Sequence, residues 1–368
     1  MVRHLYVHIP FCHRICPYCS FFKHQPGGVN MRRFVDAILA EWRMRRESME
    51  VDCETIYFGG GTPSLFSTPV MERLLAGLRK ETGLDRTVEW TMEANPSTFG
   101  KEKMQVVRDG GVTRMSLGVQ SLDAKILSLL GRDHDAMGAR ESFDLLRELE
   151  FPVVSVDLMF SVPGQSMDSW RETLEGVAFW QPDHVSAYNL TYEEDTPFFT
   201  QMAEGVLLPD EDRDAEMFSQ AIDVLGTAGL QQYEISNYAR PGKESVHNRA
   251  YWRGEDYLGL GPGAVSTVEG RRWTNLKDTA GYIDSMLSGR PQDCPREVEE
   301  IGDEAFRLER LGLDLRTREG LEEKYLTAES RIVVDELSGE GFARMENGRL
   351  VLTRKGLFHV DSIAARLA

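Results

Sequence analysis

The feature that most restricts this chain is an alternation, repeated six times over its first two-thirds, of a short β-like run and an amphipathic stretch. The runs are Leu5–Ile9, Thr55–Phe58, Val88–Met92, Val112–Val119, Val153–Met159 and His184–Leu190. Helically spaced apolar residues lie between and after them, over Met31–Ser48, from Ser67 onward, and over Asp135–Leu149, Asp168–Trp180 and Glu211–Ala228. Strands joined through a helix run parallel, because the helix carries the chain back to the edge where the previous strand began. Repeated right-handed crossovers close toward a (β/α) barrel, and six units rather than eight leave it partly open. The expected class is α/β, a partial (β/α)6 TIM-like barrel. A doubly wound open sheet is the competing arrangement, which periodicity alone does not exclude.

The pattern changes after about residue 230, so residues 1–230 are expected to form the barrel and 231–368 a smaller α+β domain. QQYEISNYARPGKESVHNRAYW is rich in aromatic and polar residues, and YLGLGPGAVS reads as a glycine-rich connector. From Pro295 the chain turns helical and ends on FARMENGRLVLT, where Asn347 and Gly348 supply a hairpin turn. Helices followed by a hairpin resemble a winged-helix element. A formal net charge of −17 opposes a broad contact with DNA, RNA or anionic lipid, so packing against the barrel is the expected role and no nucleic-acid partner is expected. No apolar run approaches the ~20 residues that span a bilayer. The start, MVRHLYVHIPF, has no long apolar core or small-residue cleavage site, which makes the cytoplasm the expected location.

Of five cysteines, Cys12, Cys16 and Cys19 fall in CHRICPYC, directly after the first strand. Clustered cysteines in a cytosolic chain suit metal ligation better than disulfides, while Cys53 and Cys294 read as incidental thiols. Three thiolates on one loop can hold three corners of an iron–sulfur cube and leave one iron open. A Cys₃His zinc site using His13 or His24 and a plain buried-thiol cluster remain open on spacing alone. Gly59, Gly60, Gly61, Thr62 and Pro63 follow the second strand, where absent side chains let backbone approach a ligand or simply make a tight turn.

With these motifs in place the chain resembles the radical S-adenosylmethionine (SAM) superfamily, whose hallmark is CX3CX2C after the first barrel strand. YVHIPFCHRICPYCSFF is similar to the branch that holds oxygen-independent coproporphyrinogen III oxidases and HemW-type haem chaperones. The resemblance implies a 4Fe–4S cluster on Cys12, Cys16 and Cys19. It also implies SAM contacts at Tyr6, Tyr18, Gly60, Gly61, Thr62, Glu93, Gln120, Arg132, Asp157, Thr191 and Val265. In the oxidase the matching positions hold two SAM molecules, and Gly61, Thr62, Gln120, Arg132, Asp157 and Thr191 would face the second.

Three features turn the resemblance toward the chaperones. The oxidase carries a segment before its first strand, whereas strand character here begins at Leu5. The oxidase has a fourth cysteine two residues after the third, and this chain has Phe21 there. HNRAYW, from His247 to Trp252, resembles the HNxxYW signature associated with haem binding in HemW-type proteins. A neutral imidazole is an ordinary axial ligand for haem iron, and Tyr251 and Trp252 offer flat apolar surface. The bland alternative has His247 capping a loop and the aromatics filling a domain interface. The implied function is haem binding and delivery to haem-dependent partners such as respiratory enzymes, with room for a homodimer and for membrane association through those partners. The other readings are an oxidase that decarboxylates coproporphyrinogen III and a radical SAM enzyme for a different substrate, such as a methyltransferase.

Overall fold

The structure is a computed structural model that describes residues 1–82, 89–289 and 296–368; Val88 and Cys294 lie outside them. The six expected units are present as β1 (Val2–Ile9), α1 (Met31–Ser48), β2 (Val51–Gly60), α2 (Thr68–Thr82), β3 (Glu89–Ala94), α3 (Lys101–Asp109), β4 (Arg114–Gln120), α4 (Ala124–Leu129), α5 (Ala136–Glu148), β5 (Val153–Phe160), α6 (Met167–Phe179) and β6 (His184–Asn189). Each of β1 to β5 is hydrogen-bonded in parallel to its successor. A strictly sequential order has no reversal point, which rules out the doubly wound sheet. β1 and β6 do not pair with each other, so the barrel is open on one flank.

Local signals explain the element ends. Asn30 starts α1 by accepting from the backbone N–H groups of Arg32 and Arg33, and Phe34, Val35, Ile38, Leu39 and Trp42 form its buried face. Asp135 and Ser166 cap α5 and α6 in the same way. Along the strands, one set of alternate residues (Leu5, Val7, Ile56, Phe58, Val154, Val156) joins the main apolar core. The other set is polar and hydrogen-bonded across strands: His4 to Thr55, Tyr57 to Glu93, Ser116 to Asp157, and Ser155 to His184. Period-2 alternation therefore separates an apolar layer from a polar interior.

The boundary expected at residue 230 falls after α7 (Pro197–Ala203) and α8 (Glu211–Thr227), but the sheet continues past it. β7 (Gln231–Gln232) and β8 (Asn237–Ala239) extend the β6 edge. After α9 (Val246–Trp252), β9 (Tyr257–Leu260) pairs in parallel with β1. β10 (Val265–Val268), β11 (Arg271–Asn275) and, beyond α10 (Thr279–Leu287), β12 (Arg296–Glu300) complete a twelve-stranded sheet. A separate core forms only further on, around Leu311, Leu321, Val334, Leu337 and Leu350. It belongs to α11 (Asp303–Asp314), β13 (Leu321–Glu322), α12 (Ala328–Gly339), β14 (Ala343–Glu346), β15 (Arg349–Leu352), α13 (Arg354–Leu357) and α14 (Val360–Leu367), a winged-helix-like order. This unit is fastened to the barrel portion by Arg354 on Asp223 (2.6 Å) and by Glu319 on Arg249 and Arg253. No helix among the described residues is long and apolar enough to cross a membrane.

Candidate SAM and cluster site

The cysteine loop leaves β1 and is closed at its base. Cys12 N–H donates to the His24 carbonyl (3.0 Å) and His24 N–H to that of Pro10 (2.8 Å). The glycine run after β2 zips onto the same loop: Gly61 N–H donates to Ile9 O and Thr62 N–H to Phe11 O, both at 2.8 Å. A Cβ on Gly61 would stand 2.7 Å from Phe11 O and 2.8 Å from Ile9 O, and one on Gly60 (φ +105°) would enter the His8 ring. The missing side chains therefore let the loop's own backbone approach, which a ligand-contact reading of the run did not anticipate.

Cys12, Cys16 and Cys19 line a cavity of about 440 Å³ at the carboxyl ends of the strands. Tyr18, Gly60, Gly61, Thr62, Glu93, Gln120, Arg132, Asp157 and Thr191 line it with them. Tyr6 and Val265 do not; they line a neighbouring cavity. Arg132 donates to Asn95 Oδ1 (2.6 Å) and to the Gly118 carbonyl (2.7 Å), and points its other nitrogen at Cys16 Sγ (3.7 Å). Asn95 in turn donates to Thr62 Oγ1 (3.0 Å), whose hydroxyl faces Cys12 Sγ at 3.8 Å. One chain of hydrogen bonds thus ties two cysteines to strands β3 and β4. Asn95 was missed in the sequence; its only signal there is its place just after the third strand.

Burial pushes the Cys12 thiol up to about 11 and raises that of Cys19. The zinc alternative loses its fourth ligand. His24 bonds Gln25 O and Thr279 Oγ1 through its two nitrogens, each at 2.7 Å, and His13 is exposed beside Asp133. Among the described residues no group of three or more His, Cys, Asp or Glu is arranged to hold a single metal ion. Three soft thiolates around one cavity suit an iron–sulfur cube, whose corners are separate irons. Gln120, at φ +67°, sits in the left-handed region beside a register shift between β4 and β5.

Glu93 accepts from Tyr57 OH (2.9 Å) and from the Gly60 N–H (3.3 Å). Burial nevertheless pushes its carboxyl up to about 7, from an ordinary 4.5. Between those values the folded state binds more protons than the unfolded one, so this group lowers stability as pH rises through that window. Subtracting the unfolding free energy of Glu93→Gln from that of the unmodified chain is expected to give a difference that falls from pH 4.5 to 7 and flattens above. A difference that rises over this range would contradict the assignment.

His247 lies in α9, away from both cavity walls and fully buried. Glu89 holds the helix start, accepting from Ser245 Oγ and from the N–H groups of Val246 and His247. Glu255 accepts from His4 Nε2 (3.1 Å), so His4 Nδ1 accepts the Thr55 hydroxyl (2.9 Å) and Thr55 accepts from His247 Nδ1 (2.7 Å). Where His4 carries its single ring proton on Nε2, that chain leaves the lone pair of the His247 imidazole on Nε2, an atom with no hydrogen-bond partner. Burial holds its conjugate acid down at about 3, in agreement.

The chain is similar to known proteins in sequence and in fold. Residues 6–177 match the family model described as the radical SAM superfamily. The chain is 32% identical to the heme chaperone HemW of Lactococcus lactis over 96% of this chain and 92% of that one. It is 33% identical to the HemW of Mycobacterium tuberculosis over 99% and 94%. The structure of coproporphyrinogen III oxidase (HemN) from Escherichia coli superposes with a TM-score of 0.84 at 22% identity, covering all of this chain and 90% of that one, a likeness of fold. With the cysteine loop, the sequential open barrel and near full-length relatives in agreement, the chain belongs to the HemW-type group of the radical SAM superfamily.

Proposed function

We propose that this chain is a cytoplasmic haem chaperone that holds a 4Fe–4S cluster on Cys12, Cys16 and Cys19, binds SAM beside it, and delivers haem to haem-dependent partners such as respiratory enzymes. The observation that carries the haem part is the buried Nε2 of His247, an imidazole nitrogen with no hydrogen-bond partner while Nδ1 is held by Thr55. Membership of a group whose relatives are named heme chaperones supports the same reading.

When bound, a cluster with one open iron can chelate SAM and supply the electron that cleaves its sulfonium. The chain's own residues do the positioning. Arg132, Asn95 and Thr62 brace the thiols, Glu93 offers carboxylate oxygens to ribose hydroxyls, and the exposed ring of Phe21 stands where the oxidase pattern has a cysteine. The His247 imidazole is packed against the rings of Tyr57 and Tyr251, so haem iron reaches it only when α9 shifts.

Anaerobically reconstituted protein is expected to take up haem in a spectrally visible complex and to leave coproporphyrinogen III unchanged. His247→Ala is expected to shift the haem absorption and weaken binding about tenfold or more. Efficient conversion of coproporphyrinogen III to protoporphyrinogen IX, with no haem retained, would sink the chaperone reading and favour the oxidase.

A further inference from the structure

A second cavity, of about 900 Å³, lies beside the SAM pocket, with Phe21 on the wall of both. It occupies the flank where β9 and β10 extend the sheet beyond β1, and α11 closes its far side. The volume is within the ~300–1,000 Å³ of pockets that enclose cofactor-sized ligands. Much of the wall is flat and apolar, with Tyr6, Phe22, Tyr251, Trp252, Phe306 and Leu313 contributing. Tyr251 and Trp252 are the last two residues of the HNRAYW segment, and the Tyr251 ring stands 4.7 Å from the imidazole of His247. Tyr251 therefore both lines this cavity and packs against the ring that carries the orphaned Nε2.

The charges on the wall are unequal in their commitments. Arg272 makes a bidentate pair with Glu309 (2.6 and 2.9 Å), and Arg316 is paired with Asp361. Glu255 accepts from His4, and Asp256 accepts the Glu269 N–H. Lys277 has no hydrogen bond or ion pair among the described residues. A free ammonium at the edge of an aromatic cavity suits a flat apolar ligand that carries carboxylates. His8 faces the same space, but its nitrogens are engaged by Tyr6 OH (3.0 Å) and Phe22 O (2.8 Å), so the cavity itself offers no imidazole lone pair.

We propose that this cavity is the tetrapyrrole-docking site, gripping the ring by its faces and a propionate through Lys277, whether or not iron is present. The proposal rests on the haem reading above and goes further, placing the ligand outside the SAM pocket and making the porphyrin rather than the metal the first element recognised.

The test titrates haem and metal-free protoporphyrin IX into the anaerobically reconstituted full chain and into two variants, Lys277→Glu and Thr274→Trp. Thr274 lines the cavity from β11, and a tryptophan there intrudes on the space a flat ring would occupy. The unmodified chain is expected to bind both porphyrins, haem the more tightly by about the factor that His247→Ala removes. Each variant is expected to lose about tenfold or more for both, Lys277→Glu through loss of a charge-assisted hydrogen bond and Thr274→Trp through lost space, while retaining iron, sulfide and SAM. Lys277→Arg is expected to restore binding. If the unmodified chain binds both porphyrins and the folded variants bind them equally well, the cavity assignment is wrong and the haem reading stands. If the unmodified chain takes up neither porphyrin, the haem reading and this assignment fail together. Uptake of haem alone, lost only in His247→Ala, would overturn recognition of the ring and leave recognition by iron.

Discussion

Alanine at Cys12, Cys16 or Cys19 is expected to leave anaerobically reconstituted protein without stoichiometric iron and sulfide, whereas alanine at Cys53 retains both. The three loop cysteines are half-buried around one cavity, and each would hold one corner of a cube. The thiols must lose protons to ligate, and burial opposes this at Cys12, pushed up to about 11, and at Cys19. Binding succeeds only when several metal–thiolate bonds together offset that cost, so losing one of three is more than a proportional loss. Cys53 faces the core on β2, far up at about 12 and away from the pocket, and serves as the matched control. Iron and sulfide quantification on the four variants decides the matter. Full occupancy in any of the three loop variants would remove that residue from the ligand set.

Glu41→Ala is expected to lower the free energy of unfolding by about 3–5 kcal/mol, measured by urea titration of the full chain. Glu41 is wholly buried on α1 and receives Arg45 (3.0 Å), Asn275 (2.9 Å), the Tyr282 hydroxyl (2.7 Å) and the Gly261 N–H (2.9 Å). Its removal strands the Arg45 guanidinium in the core and unfastens α1 from the segment after β9, from β11 and from α10. Breaking one partner of a buried pair costs more than replacing both, so Glu41→Met combined with Arg45→Met is expected to recover much of the loss. A single variant as stable as the unmodified chain would mean that the segment from β9 to α10 holds its place without this network.

The barrel was legible in advance because a buried strand and its crossover helix write their apolar positions into the sequence at periods of 2 and 3.6. Met31–Ser48 was read to the residue, and the six strands to within a few. The extension of the sheet past residue 230 was not legible. β7 to β12 are two to five residues long, too short for a periodic signal, and whether they join the barrel's edges is settled by distant partners, His184 for Ala239 on one edge and His4 for Tyr257 on the other. The candidate site divides in the same way. The cysteines and the glycine run are local and could be read from spacing. The brace of Arg132, Asn95 and Thr62 joins residues 33 to 37 positions apart and has no sequence signature.

The cysteine spacing alone thus marked the loop as a metal-ligating one, since three closely spaced thiols are a property of neighbouring residues, and left zinc and an iron–sulfur cube both open. It left open where everything else faces. Zinc was set aside only once His24 was found bonded on both nitrogens. Tyr6 and Val265 proved to face a second cavity, and His247 proved to lie inside the barrel with one free nitrogen. Those outcomes depend on which side of a strand or helix a residue occupies and on partners brought together by folding. Spacing along the chain carries no record of either.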